Sequence, residues 1–380
     1  MPQKLPHYEQ GQNSVSIRDR VEAIPILSPP ECNERLKALG YRGQKHACRA
    51  ASVLAYRHVR RLRRLFIDGA TLEEIGPREN YLFIGPTGSG KTFLVELLFR
   101  DILCVPAVTV DITQYSETGY IGEDVNMILS RLFEAAGEDL AWATCGVICV
   151  DEFDKLASSR SSARFAGEGT TKDVSGYGVQ RGLLALMSGH EATFPADFGY
   201  AHLGPKLTLP LSTTTLIACG AFSGLKTTAD LLDQEERIGF GRDAPPIERE
   251  QIAVKFDDRV LEQTAAFAQY GFLPELIGRF SRVVSFLPLE AETLRAILVS
   301  GVLEDYRREF LAEGLQLEVD DTVLDFIVQR AIKRELGARG LRAALLPYLE
   351  EAAYESFGSE RDRVVRLTLE DEAISVTVGS

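Results

Sequence analysis

Residues 85–92 read GPTGSGKT, and this stretch decides the fold. It satisfies the pattern G-x-x-x-x-G-K-[S/T] in full, in which glycines let backbone N–H groups turn toward phosphate oxygens. The lysine of such a loop reaches the β- and γ-phosphates, and the hydroxyl that follows it can hold Mg²⁺. The predicted members of this nucleotide-binding loop are Gly85, Pro86, Thr87, Gly88, Ser89, Gly90, Lys91 and Thr92.

The loop has a strand pattern before it and a helix pattern after it. The apolar run 81–84 (YLFI) indicates a buried strand, and leucines at helical spacing in 92–102 indicate the next helix. The runs 146–150 (GVICV) and 215–219 (TLIAC) indicate two more buried strands. Buried strands that alternate with helices predict an α/β fold, with a parallel sheet covered on both faces.

Two carboxylates follow the second buried strand. An apolar strand that runs into Asp151 and Glu152 has the Walker B arrangement. We expect Asp151 to hold Mg²⁺, directly or through water, and Glu152 to orient and activate the attacking water as general base. Together with the loop, the pair predicts nucleotide hydrolysis, but it does not indicate what the energy is used for.

The composition limits the remaining function classes. The 380 residues include 45% hydrophobic and 26% charged residues, as in an ordinary globular protein, and the formal net charge is −13. That charge argues against a nucleic-acid surface, and the basic run 57–64 (RHVRRLRR) is typical of a solvated helix face. No apolar run approaches the ~18 residues that span a bilayer, and the first ten residues lack a secretory pattern, so we expect a cytoplasmic protein.

The pattern changes near residue 287. We expect a flexible arm at 1–30, a large nucleotide-binding domain at 31–287, and a smaller, mostly helical domain at 288–380. In the small domain, helical patterns occupy 291–310, 320–335 and 338–357, and the runs 364–369 and 374–378 predict a terminal hairpin.

From about residue 28 to 345 the chain resembles the ClpX family of AAA+ unfoldases. The shared stretches occur in order and include DEFDKLASSR (151–160), KDVSGYGVQRGLLALMSG (172–189), ACGAFSGL (218–225), FLPELIGRF (272–280) and GARGLRAAL (337–345). The resemblance implies an AAA+ P-loop NTPase fold and the cofactors ATP and Mg²⁺. It also implies a homo-hexamer that threads protein substrates through its pore into a ClpP-type peptidase.

One stretch is similar to the pore loop of the family, in which an aromatic side chain grips the moving polypeptide. It consists of Gly119, Tyr120, Ile121 and Gly122. A bulky aromatic residue on a glycine-flanked loop can contact any sequence and can move with the nucleotide state. Residues 172–178 resemble the second pore loop.

A second stretch matches the loop by which the family docks into hydrophobic clefts on ClpP. It consists of Ile238, Gly239 and Phe240, within a charged segment that contains two prolines. Apolar residues at an exposed loop tip usually mark a contact site. The resemblance therefore implies a ClpP-type peptidase as partner.

Two arginines match catalytic positions of the family. Arg279, in IGRF, matches the arginine finger that reaches the γ-phosphate held by the neighbouring subunit. Arg339, in GAR, matches sensor 2, which reaches the nucleotide from the small domain of the same subunit. If both matches hold, each site needs two subunits and two domains, and a closed ring follows.

The chain also departs from the family. No cysteine quartet precedes residue 80, as the N-terminal zinc-binding domain of the family would require. Tyr41 and Arg42 replace two aliphatic residues beside the expected adenine pocket. The Arg-Lys-His loop of the family does not occur in 189–210, and the sensor-1 position within 215–219 cannot be assigned to one residue.

Three other hypotheses stay open. A remodelling chaperone that works without a peptidase would share the pore loop but would have no use for Ile238 and Phe240. A DNA-acting AAA+ module would need a basic surface. The HslU family has a similar pore loop but a large domain inserted after the Walker B strand, for which residues 154–172 are too short. No peptide-cleaving motif occurs in the sequence.

Overall fold

The strands at the centre of the fold are those that the apolar runs predict. The computed structural model describes residues 15–116, 123–157, 176–196, 205–225, 264–358, 363–370 and 373–379. The strands among these residues are β1 (Tyr81–Ile84), β2 (Ala107–Asp111), β3 (Tyr115–Ser116), β4 (Glu123–Asp124), β5 (Val147–Asp151), β6 (Glu191–Pro195), β7 (Lys206–Pro210), β8 (Thr215–Gly220), β9 (Arg282–Ser285), β10 (Gln316–Val319), β11 (Val364–Glu370) and β12 (Ala373–Gly379).

The helices flank these strands and match the predicted helical patterns in the main. They are α1 (Ile17–Ala23), α2 (Pro29–Ala38), α3 (Lys45–Phe66), α4 (Leu72–Ile75), α5 (Lys91–Val95), α6 (Met127–Ala135), α7 (Leu140–Ala143), α8 (Tyr177–Ser188), α9 (Thr264–Tyr270), α10 (Pro274–Ile277), α11 (Ala291–Ile297), α12 (Leu303–Ala312), α13 (Asp321–Lys333) and α14 (Gly337–Ser356). The π-helical segments Glu96–Ile102 and Leu298–Val302 continue α5 and α11. No described helix is long and apolar enough to span a bilayer.

The chain forms two compact units. The large unit comprises the described residues up to Leu36 and those within Lys45–Gly85 and Lys91–Phe286. The small unit comprises Lys37–Gln44, Pro86–Gly90 and the described residues from Leu287 onward. The sequence places the second domain after residue 287 and does not indicate that two earlier segments join it.

The large unit contains a five-stranded parallel sheet in the order β2-β5-β8-β1-β9. Every residue of β1 and β8 is buried, as expected for parallel strands with both faces covered. In a parallel sheet all strands end at the same edge, so the ends of β1, β5 and β8 lie beside one another. The predicted α/β class is confirmed.

Aromatic packing fixes the chain just after β5. The ring of Phe153 stacks on Phe272 at 5.1 Å between centroids and meets Phe280 edge-on at 5.5 Å. Phe222, just after β8, packs on the same rings. The residues that follow β5 and β8 are therefore held by a buried cluster, not by loop conformation alone.

The N-terminal segment differs from the expected flexible arm. Helix α1 begins after Ser16, whose hydroxyl accepts from the backbone N–H of Asp19, and it buries Val21 completely. Arg20 pairs with Asp139 at 3.3 Å and lies over the ring of Trp142. Residues 17–23 are thus an ordered part of the large unit, because apolar and cationic side chains on the short helix find partners there.

A short turn separates helices α2 and α3. Helix α2 ends at Ala38 and α3 begins at Lys45. Gly40 and Gly43 between them have φ angles of +89° and +77°, which end a right-handed helix at little cost only because they are glycines.

The small unit packs four helices, α11 to α14, with the sheet β10-β11-β12. The predicted hairpin is present as the antiparallel pair β11 and β12. Strand β10 pairs in parallel with β11. It is only four residues long, and the sequence pattern did not predict it.

Candidate active site

The nucleotide-binding loop begins at the end of β1, where only glycine fits. The Gly85 N–H donates to the Gly220 carbonyl at the end of β8, at 3.2 Å. A Cβ at position 85 would lie 2.4 Å from the carbonyl oxygen of Phe286, a backbone atom that cannot move aside. The close approach of three backbone segments therefore explains the first glycine of the motif.

Three predicted site residues come together beside this point. Lys91 is buried, and its Nζ donates to the Gly85 carbonyl at 2.7 Å. The Thr92 Oγ1 donates to the Asp151 Oδ2 at 2.8 Å, which joins the start of α5 to the end of β5. A hydroxyl and a carboxylate at this distance supply the oxygen ligands that Mg²⁺ takes beside nucleotide phosphates, so the residues fit the ion.

Glu152 has an unusual backbone conformation. Its φ of 55° and ψ of 29° lie in the left-handed region, which costs a non-glycine residue of the order of 1–3 kcal/mol. The turn is held on both sides: the Glu152 N–H donates to the Asp151 Oδ1 at 2.8 Å, and its carbonyl accepts from Lys155 at 2.9 Å. The next residue, Phe153, is completely buried, so the backbone at Glu152 cannot relax without moving the aromatic cluster.

Sequence reasoning missed Asp154, which fixes the same edge of the sheet. Its buried Oδ1 accepts from the Ala221 N–H at 2.9 Å, and Lys155 lies 3.5 Å from its other oxygen. The bond joins the segment after β5 to the segment after β8. The motif D-E-x-D carried a signal for it, since a third carboxylate so near a buried strand needs a partner.

The small unit contains the middle of the loop, Pro86–Gly90. The Ala338 N–H, in the first turn of α14, donates to the Gly88 carbonyl at 3.1 Å. A Cβ at Gly88 would lie 2.2 Å from the Leu336 carbonyl oxygen, so the loop and the start of α14 are in direct contact. Arg339, the predicted sensor 2, follows Ala338 and is exposed.

Two residues of the segment Lys37–Gln44 support the loop from another side. The Tyr41 hydroxyl donates to the Gly90 carbonyl at 3.2 Å. The Gln44 amide group bonds both backbone groups of Leu287, at 3.0 and 2.6 Å, and donates to the Ser89 carbonyl at 3.4 Å. Tyr41 therefore supports this loop through its hydroxyl group.

Within the described part of the chain, one polar atom of the loop is buried without a partner: the Ser89 hydroxyl oxygen. A buried hydroxyl that lacks a hydrogen bond costs about 1–3 kcal/mol, so natural proteins rarely retain one without a use. A loop that binds phosphate oxygens would provide that partner. This observation fits a nucleoside triphosphate at the loop.

Arg279 does not join the other predicted site residues of the large unit. It is exposed and lies just before β9, at the edge where the strands begin, whereas the loop follows the end of β1. The buried side chain of Asn80, just before β1, accepts from the Leu216 N–H at 3.0 Å and donates to the Arg279 carbonyl at 3.5 Å. Four residues of strand separate the two edges, about 13 Å.

A second cation lies near Arg279. Burial lowers the pKa of Arg78 to about 10, and the charges of Arg61 and Arg279 add to this effect. Arg78 donates to the carbonyls of Leu186 and Leu211.

The two stretches that resemble the pore loop and the docking loop of the family lie outside the described residues. These are the pore loop, Gly119 to Gly122, and the docking loop, Ile238 to Phe240.

Comparisons with known proteins agree with this geometry. Residues 81–226 match the ATPase family associated with various cellular activities (AAA). Residues 289–366 match the C-terminal, D2-small domain of ClpB protein. The chain is 33% identical over 353 residues to the ATP-dependent Clp protease ATP-binding subunit ClpX of Treponema denticola. The aligned region covers 92% of this chain and 81% of that protein.

The chain belongs to the ClpX family of AAA+ ATPases. The protein of the same name from Porphyromonas gingivalis is also 33% identical, over 320 residues, which are 82% of this chain and 74% of that protein. Membership of the ClpX family confirms the resemblance that the motifs indicate. It also confirms that the protein binds nucleotide and is an ATPase.

Proposed function

We propose that the protein is a Mg²⁺-dependent unfoldase that works as a homo-hexamer, threads polypeptides through its pore, and delivers them to a ClpP-type peptidase. The contact of Thr92 with Asp151, beside the left-handed turn at Glu152, carries the proposal at the level of the ATPase. The relatives named as ATP-binding subunits of the Clp protease support its finer part.

In the proposed mechanism, each residue of the site has one task. Lys91 and the backbone N–H groups of Gly88 to Gly90 bind the triphosphate. Thr92 and Asp151 hold Mg²⁺, which would neutralise charge on the phosphate oxygens. Glu152 accepts the proton of the attacking water, and the strained turn fixes its direction. Arg339 reaches the nucleotide from α14, beside the loop.

The position of Arg279 supports a ring. An arginine finger must reach a γ-phosphate, and Lys91 and Thr92 of the same large unit lie at the other edge of the sheet. A neighbouring subunit provides a phosphate at the right place if subunits meet head to tail. Such a contact, repeated, closes into a ring when the rotation between neighbours is a whole fraction of a turn, and six subunits is the expectation of the family.

Delivery of polypeptides to a peptidase is tested by measuring whether the protein binds the ClpP-type peptidase of the same organism. We expect the wild type to bind in the presence of a slowly hydrolysed ATP analogue, and Phe240→Ala to lose this binding while it keeps its ATPase activity. Leu311→Ala, at an exposed apolar residue of the small unit, is the matched control and should bind normally. A wild-type ATPase that does not bind the peptidase would instead support a stand-alone remodelling chaperone.

The pore loop has a separate test. Tyr120→Ala should hydrolyse ATP at a near-normal rate but fail to unfold a tagged, folded substrate, because the aromatic grip is lost. Tyr120→Phe keeps the ring and should unfold the substrate. Unfolding by the alanine variant at the wild-type rate would remove Tyr120 from the pore loop.

A further inference from the structure

Helix α3 carries a row of arginines on one face. Arg57, Arg60, Arg61 and Arg64 are spaced i, i+3, i+4 and i+7, so they lie one above another along the helix. Like charges at i and i+4 destabilise a helix, and here both such pairs repel. The row concentrates positive charge in a chain whose formal net charge is −13. Anionic groups beside the row would reduce this repulsion.

The sequence pattern of 57–64 is typical of a flat, solvated helix face, but in the structure the row lines a cavity. The cavity has a volume of about 230 Å³ and is bounded also by Glu79, Pro77 and Thr215 of the large unit. Pockets for drug-sized ligands typically measure about 300–1,000 Å³, so this cavity suits a smaller group. It offers space for a small ion with some of its water.

The inner wall of the cavity is rigid. Arg61 donates to the carbonyls of Gly76 and Ser212, and its buried Nε–H has no partner among the described residues. His58 bonds Thr215 and the Cys145 carbonyl at 3.0 and 2.9 Å. Burial lowers the pKa of His58 to about 4, so the ring is neutral near pH 7 and leaves the charge of the cavity to the guanidinium groups.

The outer wall holds cations that local carboxylates do not neutralise. Glu79 pairs with Arg57 at 2.6 Å, and among the described residues it is the one acid that lines the cavity. Arg60 has no ion pair or hydrogen bond within the described part of the chain. Arg64 interacts electrostatically with Glu74, but the Glu74 carboxylate already accepts from the N–H and hydroxyl groups of Thr71 in the cap of α4.

We propose that this cavity, which we call the arginine cavity (Arg57, Arg60, Arg61, Arg64), binds a small phosphate-type oxyanion. Four guanidinium groups face one carboxylate, and the planar fork of arginine matches the geometry of phosphate oxygens. The unpartnered Nε–H of Arg61 supplies an inner donor, and Arg60 and Arg64 close on the ion from outside. The site is separate from the nucleotide loop, since it lies where β8 begins and not where it ends.

The test is calorimetric titration of the full chain with inorganic pyrophosphate at low salt. The nucleotide loop also binds phosphates, so Lys91→Ala is introduced first to weaken that site. We expect the Lys91→Ala protein to keep one saturable pyrophosphate site. Adding Arg60→Gln and Arg64→Gln should weaken it about tenfold or more, because two charge-assisted contacts are lost.

The matched control adds Arg307→Gln and Arg308→Gln, which remove the same charge from exposed ion pairs in the small unit. The control should bind pyrophosphate as the Lys91→Ala protein does. Should Lys91→Ala not fold, the wild type saturated with a slowly hydrolysed ATP analogue replaces it throughout. In that form the analogue occupies the loop, and pyrophosphate reports the arginine cavity.

Three results would overturn the proposal. One is that no saturable site remains once the loop is disabled or filled. Another is that the Arg60/Arg64 and Arg307/Arg308 pairs of changes weaken binding equally, which would indicate unspecific attraction. The third is that a short DNA duplex binds through Arg60 and Arg64 whereas pyrophosphate does not, which would assign the surface to nucleic acid.

Discussion

Replacing Glu152 by glycine should give a more stable large unit than replacing it by alanine. The left-handed conformation costs an L-residue about 1–2 kcal/mol and glycine almost nothing. Glycine also loses more backbone freedom on folding, which offsets about 0.5–1 kcal/mol of that advantage. The two effects leave about 0–1.5 kcal/mol in favour of glycine, which for a unit of this size raises the melting temperature by up to about 3 °C.

The comparison isolates the backbone because both variants lack the carboxylate. The hydrogen bonds at this turn use backbone groups of residue 152, and both variants retain them. The assay is thermal unfolding without nucleotide, followed by far-UV circular dichroism, with ATP turnover measured in parallel. Both variants should bind ATP and hydrolyse it very slowly. Glu152→Gln keeps the strain, so it should melt close to the wild type while it too loses turnover.

One result would refute the reasoning. If the glycine variant melts below the alanine variant, residue 152 does not occupy the left-handed region in solution. The strained turn could then not be what directs the general base. A glycine variant that hydrolyses ATP at the wild-type rate would remove Glu152 from catalysis altogether.

Three further predictions concern residues around the site. Tyr41→Phe removes the hydroxyl that bonds Gly90, so the KM for ATP should rise about fivefold, equivalent to about 1 kcal/mol, and an unchanged KM would contradict its role. The folded-state pKa of His58 is lowered from 6.5 to about 4, so the unfolded state binds its proton first as the pH falls. The stability this group contributes is present above pH 6.5, and about 3 kcal/mol should be lost toward pH 4; urea unfolding of His58→Gln should lack this decline. Asn80→Ala leaves the buried N–H of Leu216 without an acceptor, so the free energy of unfolding should fall by about 1–3 kcal/mol in urea, and an unchanged midpoint would show that water replaces the amide.

The sequence predicted that the two motifs meet at one edge of the sheet because its signals are local. A buried strand followed by a glycine-rich loop places Lys91 and Thr92, and a second strand places Asp151 and Glu152. Parallel strands end at one edge, so two separate motifs had to meet there. The 2.8 Å contact of Thr92 with Asp151 is the outcome.

The supports of the loop could not be predicted, because they depend on residues far apart in the chain. Tyr41 bonds a residue 49 positions away, and Gln44 bonds one 243 positions away. No periodicity or short motif reports such pairs. The left-handed turn at Glu152 could not be predicted from the sequence for a related reason. Tertiary packing of Phe153 imposes this conformation against the local preference of glutamate.

The hydrogen bonds between Gln44 and Leu287 join residues that the ribosome makes at different times. A ribosome adds about 5–20 residues per second, so the 243 positions between them take about 12–50 s to make. For most of that interval the nascent chain has its phosphate loop but not the partners in α14 and at Leu287 that hold it. We therefore expect nucleotide affinity to arise late, near chain completion, so that an unfinished subunit neither captures ATP tightly nor consumes it.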